Sequence, residues 1–147
     1  MRLLVLIFCL FQLGVLSQTI TESESKENSI KEMMNNKMKE WMEAYNSGDA
    51  SGLIPLYDEN AEYISSHVNG LVASGRDRLI KNFAIGMKMG GHIDNVEILS
   101  INHSCEITSL VCRYEATNNG EKVIGRNLIV LKNINGEWKI ITHMTVV

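Results

Sequence analysis

Apolar residues recur every three or four positions near the start of the chain and predict an amphipathic helix of about 17 residues. Ser29 and Glu32 have the spacing of a capping box, so we expect this helix to begin at Ser29. Gly48 ends it, because glycine takes the left-handed cap conformation without a steric penalty. The stripe itself consists of Ile30, Met33, Met34, Met38, Trp41, Met42 and Tyr45.

Two further helices are expected before the pattern changes. Asp49 is placed to cap a short second helix that carries Leu53 and Tyr57. Pro55 removes a backbone donor inside this helix and so shortens or kinks it. Ser74 is the expected cap of a third helix, whose buried face repeats at helical spacing.

Residues with a β pattern dominate the second half of the chain. A short strand is predicted at 61–65, and four long strands are predicted at about 92–103, 108–118, 122–133 and 137–147. Asn-Gly pairs between apolar runs are strong hairpin signals, so successive hairpins should form an antiparallel meander. Helices followed by a long bent sheet indicate an α+β fold. The second sheet face is also rather apolar, which predicts a homodimer.

The N-terminus has the pattern of a secretory signal peptide. Arg2 precedes an almost wholly apolar run over residues 3–16, which is shorter than the roughly 20 residues needed to cross a bilayer. We therefore expect cleavage after Ser17, a secreted protein and no membrane contact after cleavage; an uncleaved signal anchor is the alternative. Residues 18–28 are expected to form a flexible arm, and residues 29–147 one domain.

Charge and motif content exclude several classes of partner. The net charge is −3 and becomes −4 once Arg2 leaves with the signal peptide. Nucleic-acid binding would require a basic patch, so no nucleic-acid partner is expected. The histidines lack metal-ligand spacing, and no glycine-rich loop precedes a helix, so neither a metal nor another cofactor is predicted.

Two cysteines and one sequon carry further expectations. Cys105 and Cys112 remain after signal cleavage, in a compartment that permits disulfides. Either they form a disulfide or they are two reduced thiols on one strand pair, and the sequence leaves both open. Asn102 lies in the only Asn-x-Ser/Thr sequon, which predicts a surface position and possible glycosylation.

Four short pieces of the sequence, in this order and spacing, carry a family resemblance. They are W-x-x-A-Y-N-S-G-D at 41–49, L-Y-D-E-N-A at 56–61, G-R-D-R-L-I at 75–80 and N-G-E-W-K-I at 135–140. Over residues 30–147 the chain resembles the nuclear transport factor 2-like superfamily, and within it the DUF4440 group close to the SnoaL-like and ketosteroid-isomerase-like groups. The resemblance implies a cone-shaped barrel, in which a curved antiparallel sheet wraps around three N-terminal helices, and frequent dimerisation through the sheet.

This superfamily contains enzymes and non-catalytic binders, so the fold does not decide the function. The first hypothesis is a non-catalytic module that binds a small hydrophobic ligand or dimerises. The alternative is an isomerase or dehydratase acting on a small hydrophobic substrate through His143 and Tyr57. A third possibility is a structural role with a filled cavity. The predicted pocket residues are Met38, Trp41, Met42, Leu53, Tyr57, Phe83, Arg113 and Asn127.

The polar residues of the sheet leave one question open. His143, Arg113 and Asn127 could form a polar group at the base of the pocket, or they could pair on the outer sheet face. Tyr63 and Tyr114 are, with Tyr57, the hydroxyl donors that an isomerase-like site would use.

Overall fold

The computed structural model describes residues 25–66 and 71–147. The chain consists of two compact units, Met1–Met34 and Asn35–Val147. The predicted signal peptide and its cleavage site after Ser17 lie outside the described residues. Among the helices that the structure describes, none is long and apolar enough to cross a membrane.

Three helical elements are described. Helix α1 covers residues 25–46, a 3₁₀ helix covers Ala50–Leu56, and helix α2 covers Arg76–Lys88. Helix α1 already includes residues 25–28, which were assigned to the arm. Ser29 therefore lies inside the helix, and the prediction that it forms the cap is wrong.

Of the caps predicted for the two later helices, the first is confirmed and the second is wrong. Asp49 caps the 3₁₀ helix, and its Oδ1 accepts a hydrogen bond from the Ser51 amide at 2.9 Å. The predicted cap Ser74 instead ends a strand, and Gly75 with φ 88° is the N-cap of α2. A positive φ of this size favours glycine, so the backbone conformation selects the cap here.

A single six-stranded sheet dominates the second unit. Its strands are β1 Tyr57–Ser65, β2 Leu71–Ser74, β3 His92–Ser104, β4 Ile107–Asn118, β5 Glu121–Ile134 and β6 Glu137–Val146. They lie in the order β2-β1-β6-β5-β4-β3. The 3₁₀ helix ends at Leu56 and Tyr57 opens β1, so the prediction that Tyr57 lies within the second helix is wrong.

The sheet is not purely antiparallel as predicted. Strand β1 pairs in parallel with β6, while the other neighbouring strands pair in antiparallel fashion. Parallel neighbours need a long crossover connection, and here α2 and the β3–β5 hairpins lie between the two strands. The parallel pairing places Tyr63 directly beside His143.

Both predicted Asn-Gly hairpins are confirmed. Asn119 and Gly120 have φ of 50° and 82°, and Asn135 and Gly136 have φ of 55° and 91°. Positive φ at both central residues is the signature of the type I′ turn, whose twist matches that of the flanking strands.

An irregularity in β6 decides which side chains face inward. The β5–β6 register shifts between Val130 and Leu131, and Ile141 is left without a partner. Such a bulge places two residues of one strand opposite one residue of the other and interrupts the side-chain alternation. Ile140 and His143 are consequently both buried, at 2% and 1% exposure.

The two cysteines are free thiols, so the disulfide alternative is corrected. Cys105 is exposed in the turn before β4, and Cys112 is buried seven residues later, where burial raises the pKa of its thiol to about 12. At about 3.4 Å per strand residue the two are roughly 20 Å apart, far beyond the roughly 7 Å that a disulfide spans. Asn102 lies exposed in β3, as expected for a sequon; its glycosylation stays a prediction.

Candidate functional site

A partly open cavity of about 530 Å³ lies on the inner face of the sheet, within the second unit. This volume is in the range of small-molecule binding sites, roughly 300–1,000 Å³. From the helices it is lined by Trp41, Tyr45, Asn82, Phe83, Ile85 and Gly86. From the sheet its lining includes Tyr63, Tyr114, Val123, Asn127, His143 and Thr145.

Six of the residues singled out from the sequence line this cavity: Trp41, Tyr63, Phe83, Tyr114, Asn127 and His143. Their neighbourhood is strongly aromatic. The ring of His143 lies 5.4 Å from that of Trp41 and 6.0 Å from that of Phe83, measured between centroids. The cavity lining is therefore mostly apolar and contains a few polar atoms.

The other predicted pocket residues do not line the cavity. Met38 and Leu53 are buried at 3% and 0% exposure, and so belong to the packed core. Met42 is half-buried and also lies outside the lining. Helical periodicity identifies buried positions correctly, but it does not separate those that face a cavity from those that face other side chains.

Arg113 was expected in the pocket and lies on the opposite sheet face. Its neighbours Cys112 and Tyr114 point inward, and side chains alternate along a strand, so Arg113 points outward. There it forms an ion pair with Glu115. Of the proposed polar group, the structure brings Asn127 and His143 to the cavity and leaves Arg113 outside.

Tyr57 is placed behind the cavity wall instead of in it. Its side chain is 1% exposed, and its hydroxyl group joins two lining residues. The Trp41 Nε1–H donates to the Tyr57 oxygen at 2.8 Å, and the same oxygen lies 2.8 Å from His143 Nδ1. Trp41, Tyr57 and His143 thus form a buried hydrogen-bonded chain.

The donor and acceptor roles in this hydrogen-bonded chain fix the tautomer of His143. An indole N–H can only donate, so the Tyr57 oxygen accepts from Trp41 and its own proton is directed to His143 Nδ1. Burial lowers the pKa of His143 to about 3, so the imidazole is neutral and carries a single N–H. With Nδ1 acting as the acceptor, that proton is on Nε2.

Three buried polar atoms of cavity residues have no hydrogen-bond partner within the described part of the chain. They are His143 Nε2, Asn127 Oδ1 and Asn82 Nδ2. Buried polar groups in proteins are nearly always paired, so these three atoms are the candidate hydrogen-bonding groups of the cavity. His143 and Asn127 are 1% and 5% exposed, so water has little access to either side chain as a hydrogen-bonding partner.

The described lining carries almost no charge. It contains no Asp, Glu, Lys or Arg, and Nδ1 of its exposed histidine, His92, lies within hydrogen-bonding distance of the Asp94 carboxylate, at 3.0 Å. Hydrogen bonds from Thr117 and His92 lower the pKa of Asp94. Burial raises the pKa of Tyr114 to about 12, so its hydroxyl stays protonated. Within residues 25–66 and 71–147 no cluster of His, Cys, Asp or Glu could hold a metal ion.

Glycines shape the walls at two places that the sequence analysis missed. A Cβ on Gly125 would lie 2.5 Å from the Tyr114 ring, so only glycine lets this ring lie across β5. A Cβ on Gly86 or Gly91 would lie 2.9 Å from the Tyr45 hydroxyl. An isolated glycine inside a strand pattern signals such a close approach and could have indicated Gly125.

Comparison with known proteins settles the fold. No protein-family model matches the chain, and no curated protein matches its sequence. A solved structure of an NTF2-like protein of unknown function from Shewanella oneidensis is 20% identical, with a TM-score of 0.67 over 78% of this chain and 97% of that chain. The chain has the nuclear transport factor 2-like fold. The predicted α+β class, with a curved sheet and three helices, is thereby confirmed.

Other solved structures are similar at comparable levels. An NTF2-like protein of unknown function from Pseudomonas putida is 14% identical, with a TM-score of 0.67 over 80% of this chain and 86% of that chain. A ketosteroid isomerase-like protein from Erwinia carotovora is 18% identical, with a TM-score of 0.63 over 76% and 90%. At these identities the likeness establishes the NTF2-like fold alone, and the DUF4440 assignment stays a prediction.

Proposed function

We propose that the protein binds a small, largely apolar molecule in the inner-face cavity and does not transform it chemically. The observation that carries this proposal is the buried, neutral His143 at the wall of an aromatic cavity, whose Nε2–H has no partner among the described residues. A site of this kind gains affinity from apolar burial and orientation from one or two polar atoms.

The aromatic rings around His143 favour an apolar body. Tyr63 lies 5.3 Å from the His143 ring and 5.0 Å from that of Phe83, with edge-to-face geometry in both pairs. Trp41 adds a further edge-to-face contact with Phe83 at 6.0 Å. These rings hold each other in place, so a ligand would meet a preformed apolar wall.

The alternative of an isomerase or dehydratase is less well supported by the same geometry. Ketosteroid-isomerase chemistry uses a carboxylate base in the cavity, and the described lining contains none. His143 is a poor substitute, since its pKa is lowered to about 3 and its Nδ1 is held by Tyr57. The site thus has a group that can polarise a carbonyl but lacks a group that can remove a proton.

Secretion and homodimerisation are parts of the same proposal. Secretion is supported by the apolar run after Arg2. Homodimerisation is supported by the outer sheet face, where Val111 and Leu128 are cross-strand partners at 36% and 38% exposure. Light scattering on the purified protein measures the oligomeric state; a monomer at micromolar concentration would contradict the dimer.

The binding proposal is tested with phenanthrene as a fluorescent apolar probe. Val123→Phe places a ring in the cavity, while the matched control Ile124→Phe places it on the opposite face, where Ile124 is 52% exposed. We expect the wild type and Ile124→Phe to bind the probe with similar dissociation constants and Val123→Phe to bind at least about tenfold more weakly. Absence of binding to the wild type, or equal binding to all three, would refute the cavity as the site.

A further inference from the structure

Two of the unpartnered atoms at the cavity are neighbours on the inner face of the sheet. Asn127 pairs with Thr145 across β5 and β6, and His143 lies two residues before Thr145 on the same face. Such diagonal neighbours are separated by about 7 Å between their β-carbons, within reach of a single small polar group between their side chains. One ligand head can therefore contact both.

The two atoms are chemically complementary. His143 Nε2 carries the imidazole proton and can only donate, because Nδ1 accepts from Tyr57. Asn127 Oδ1 is an acceptor. A head group that satisfies both atoms must accept one hydrogen bond and donate another, as a hydroxyl group does through its single oxygen and a lactam does through its oxygen and its nitrogen.

Electrostatics further limits the head group. The described lining has no Lys or Arg, and the imidazole of His92 at the cavity already pairs with Asp94 at 3.0 Å. An anionic head such as a carboxylate would lose its hydration without gaining a countercharge, which is strongly unfavourable. An ammonium head would meet the same penalty, since none of the described lining residues is an Asp or a Glu.

We propose that the cavity selects neutral ligands whose head both accepts and donates a hydrogen bond, as a hydroxyl group does and as a lactam or a secondary cis-amide does with its carbonyl and its N–H. The carbonyl accepts from His143 Nε2–H, and the N–H donates to Asn127 Oδ1. This inference rests on the proposed binding function and adds to it the chemical class of the head. A ketone or a lactone would satisfy His143 alone and would leave Asn127 Oδ1 buried without a partner, which reduces affinity.

Three probes with the same tricyclic body separate the contributions. Phenanthrene has no polar head, benzocoumarin is a lactone with an acceptor, and phenanthridinone is the isosteric lactam with both an acceptor and a donor. Each added hydrogen bond should tighten binding by about fivefold, from the typical net stabilisation of one such bond. Phenanthrene carboxylate, as the anionic probe, should bind more weakly than the lactam.

Two variants assign the effects to their residues. Asn127→Leu should abolish the preference for the lactam over the lactone, while the control Asn95→Leu, at an exposed position of β3, should keep this preference. His143→Phe should abolish the preference for the lactone over phenanthrene. Phenanthrene binding reports on the integrity of the cavity in every variant.

The outcomes distinguish this inference from the function on which it rests. If no probe binds the wild type, the binding function itself is wrong. If all three probes bind equally, or if the carboxylate binds more tightly than the lactam, the cavity still binds apolar molecules and the selection of a lactam head is overturned. A lactam preference that survives Asn127→Leu would also overturn it.

Discussion

Replacing Tyr57 with Phe tests the hydrogen-bonded chain that holds His143. The change keeps the ring, which is 1% exposed and stacks on His143 at 6.3 Å between centroids. It removes one oxygen, which accepts from Trp41 Nε1–H and donates to His143 Nδ1, both at 2.8 Å. The variant therefore removes hydrogen bonding with very little change in packing.

The magnitude follows from the two groups that lose their partner. A buried donor or acceptor left unsatisfied costs about 1–3 kcal/mol, and here one of each is left. Because His143 can partly recover by changing its tautomer, we expect a loss of about 3 kcal/mol in the free energy of unfolding. That is a large part of the roughly 5–15 kcal/mol that stabilises a domain.

Two measurements check this expectation. Urea denaturation gives the stability difference, and ¹⁵N NMR of the imidazole reports which ring nitrogen carries the proton. In the wild type we expect a proton on Nε2 of His143, and in Tyr57→Phe a mixture of the two tautomers. The control Tyr45→Phe removes the hydroxyl of another buried tyrosine, 8% exposed, that is outside this chain, and should leave the tautomer unchanged.

A specific pair of results would refute the hydrogen-bonded chain of Trp41, Tyr57 and His143. If Tyr57→Phe loses less than about 0.5 kcal/mol, below the usual net value of even one hydrogen bond, the two bonds do not stabilise the core. If the tautomer of His143 is also unchanged, Tyr57 does not orient it. The proposed head-group selectivity would then lose its donor assignment, because it requires the proton on Nε2.

The remaining predictions concern pH and close packing. The pKa of His143 is lowered from 6.5 to about 3, so the unfolded state binds more protons in this interval and stability falls as the pH drops below 6.5. Between pH 7 and pH 5 the wild type should lose about 2 kcal/mol more than His143→Phe in urea denaturation, and equal losses would contradict the burial of a neutral imidazole. Gly125→Ala should lose about 1–3 kcal/mol, since its Cβ would clash with the Val146 carbonyl oxygen; a thermal midpoint equal to that of the wild type would show that this contact relaxes freely.

Features controlled by local interactions could be predicted from the sequence. The Asn-Gly turns depend on two residues that tolerate positive φ, and Asp49 caps its helix through a bond to an amide two residues away. Trp41 and Phe83 were placed at the cavity because helical periodicity marks them as buried. These signals lie within one element, so no knowledge of the tertiary structure was required.

Features controlled by pairing between distant elements could not be predicted. The alternation in β4 shows that Arg113 and Tyr114 face opposite ways, but the inner face is defined only once the helices pack on it. In β6, Trp138 is buried, and strict alternation of side chains from Trp138 would place His143 on the outer face. The bulge at Ile141 breaks this alternation and turns His143 to the inner face. The parallel pairing of β1 with β6 likewise depends on contacts between residues about 80 positions apart.

These distant pairings also create the site. The bulge turns His143 inward, and the parallel neighbour β1 begins with Tyr57, whose hydroxyl reaches His143 from behind the wall. One edge of the imidazole is thus held by the core, which leaves the other edge to the cavity. A histidine packed only for stability would have both nitrogens satisfied within the core. The arrangement instead combines a neutral ring and a fixed tautomer with an Nε2–H and an Asn127 oxygen that have no partner within the described part of the chain, as the proposed site for a neutral polar head requires.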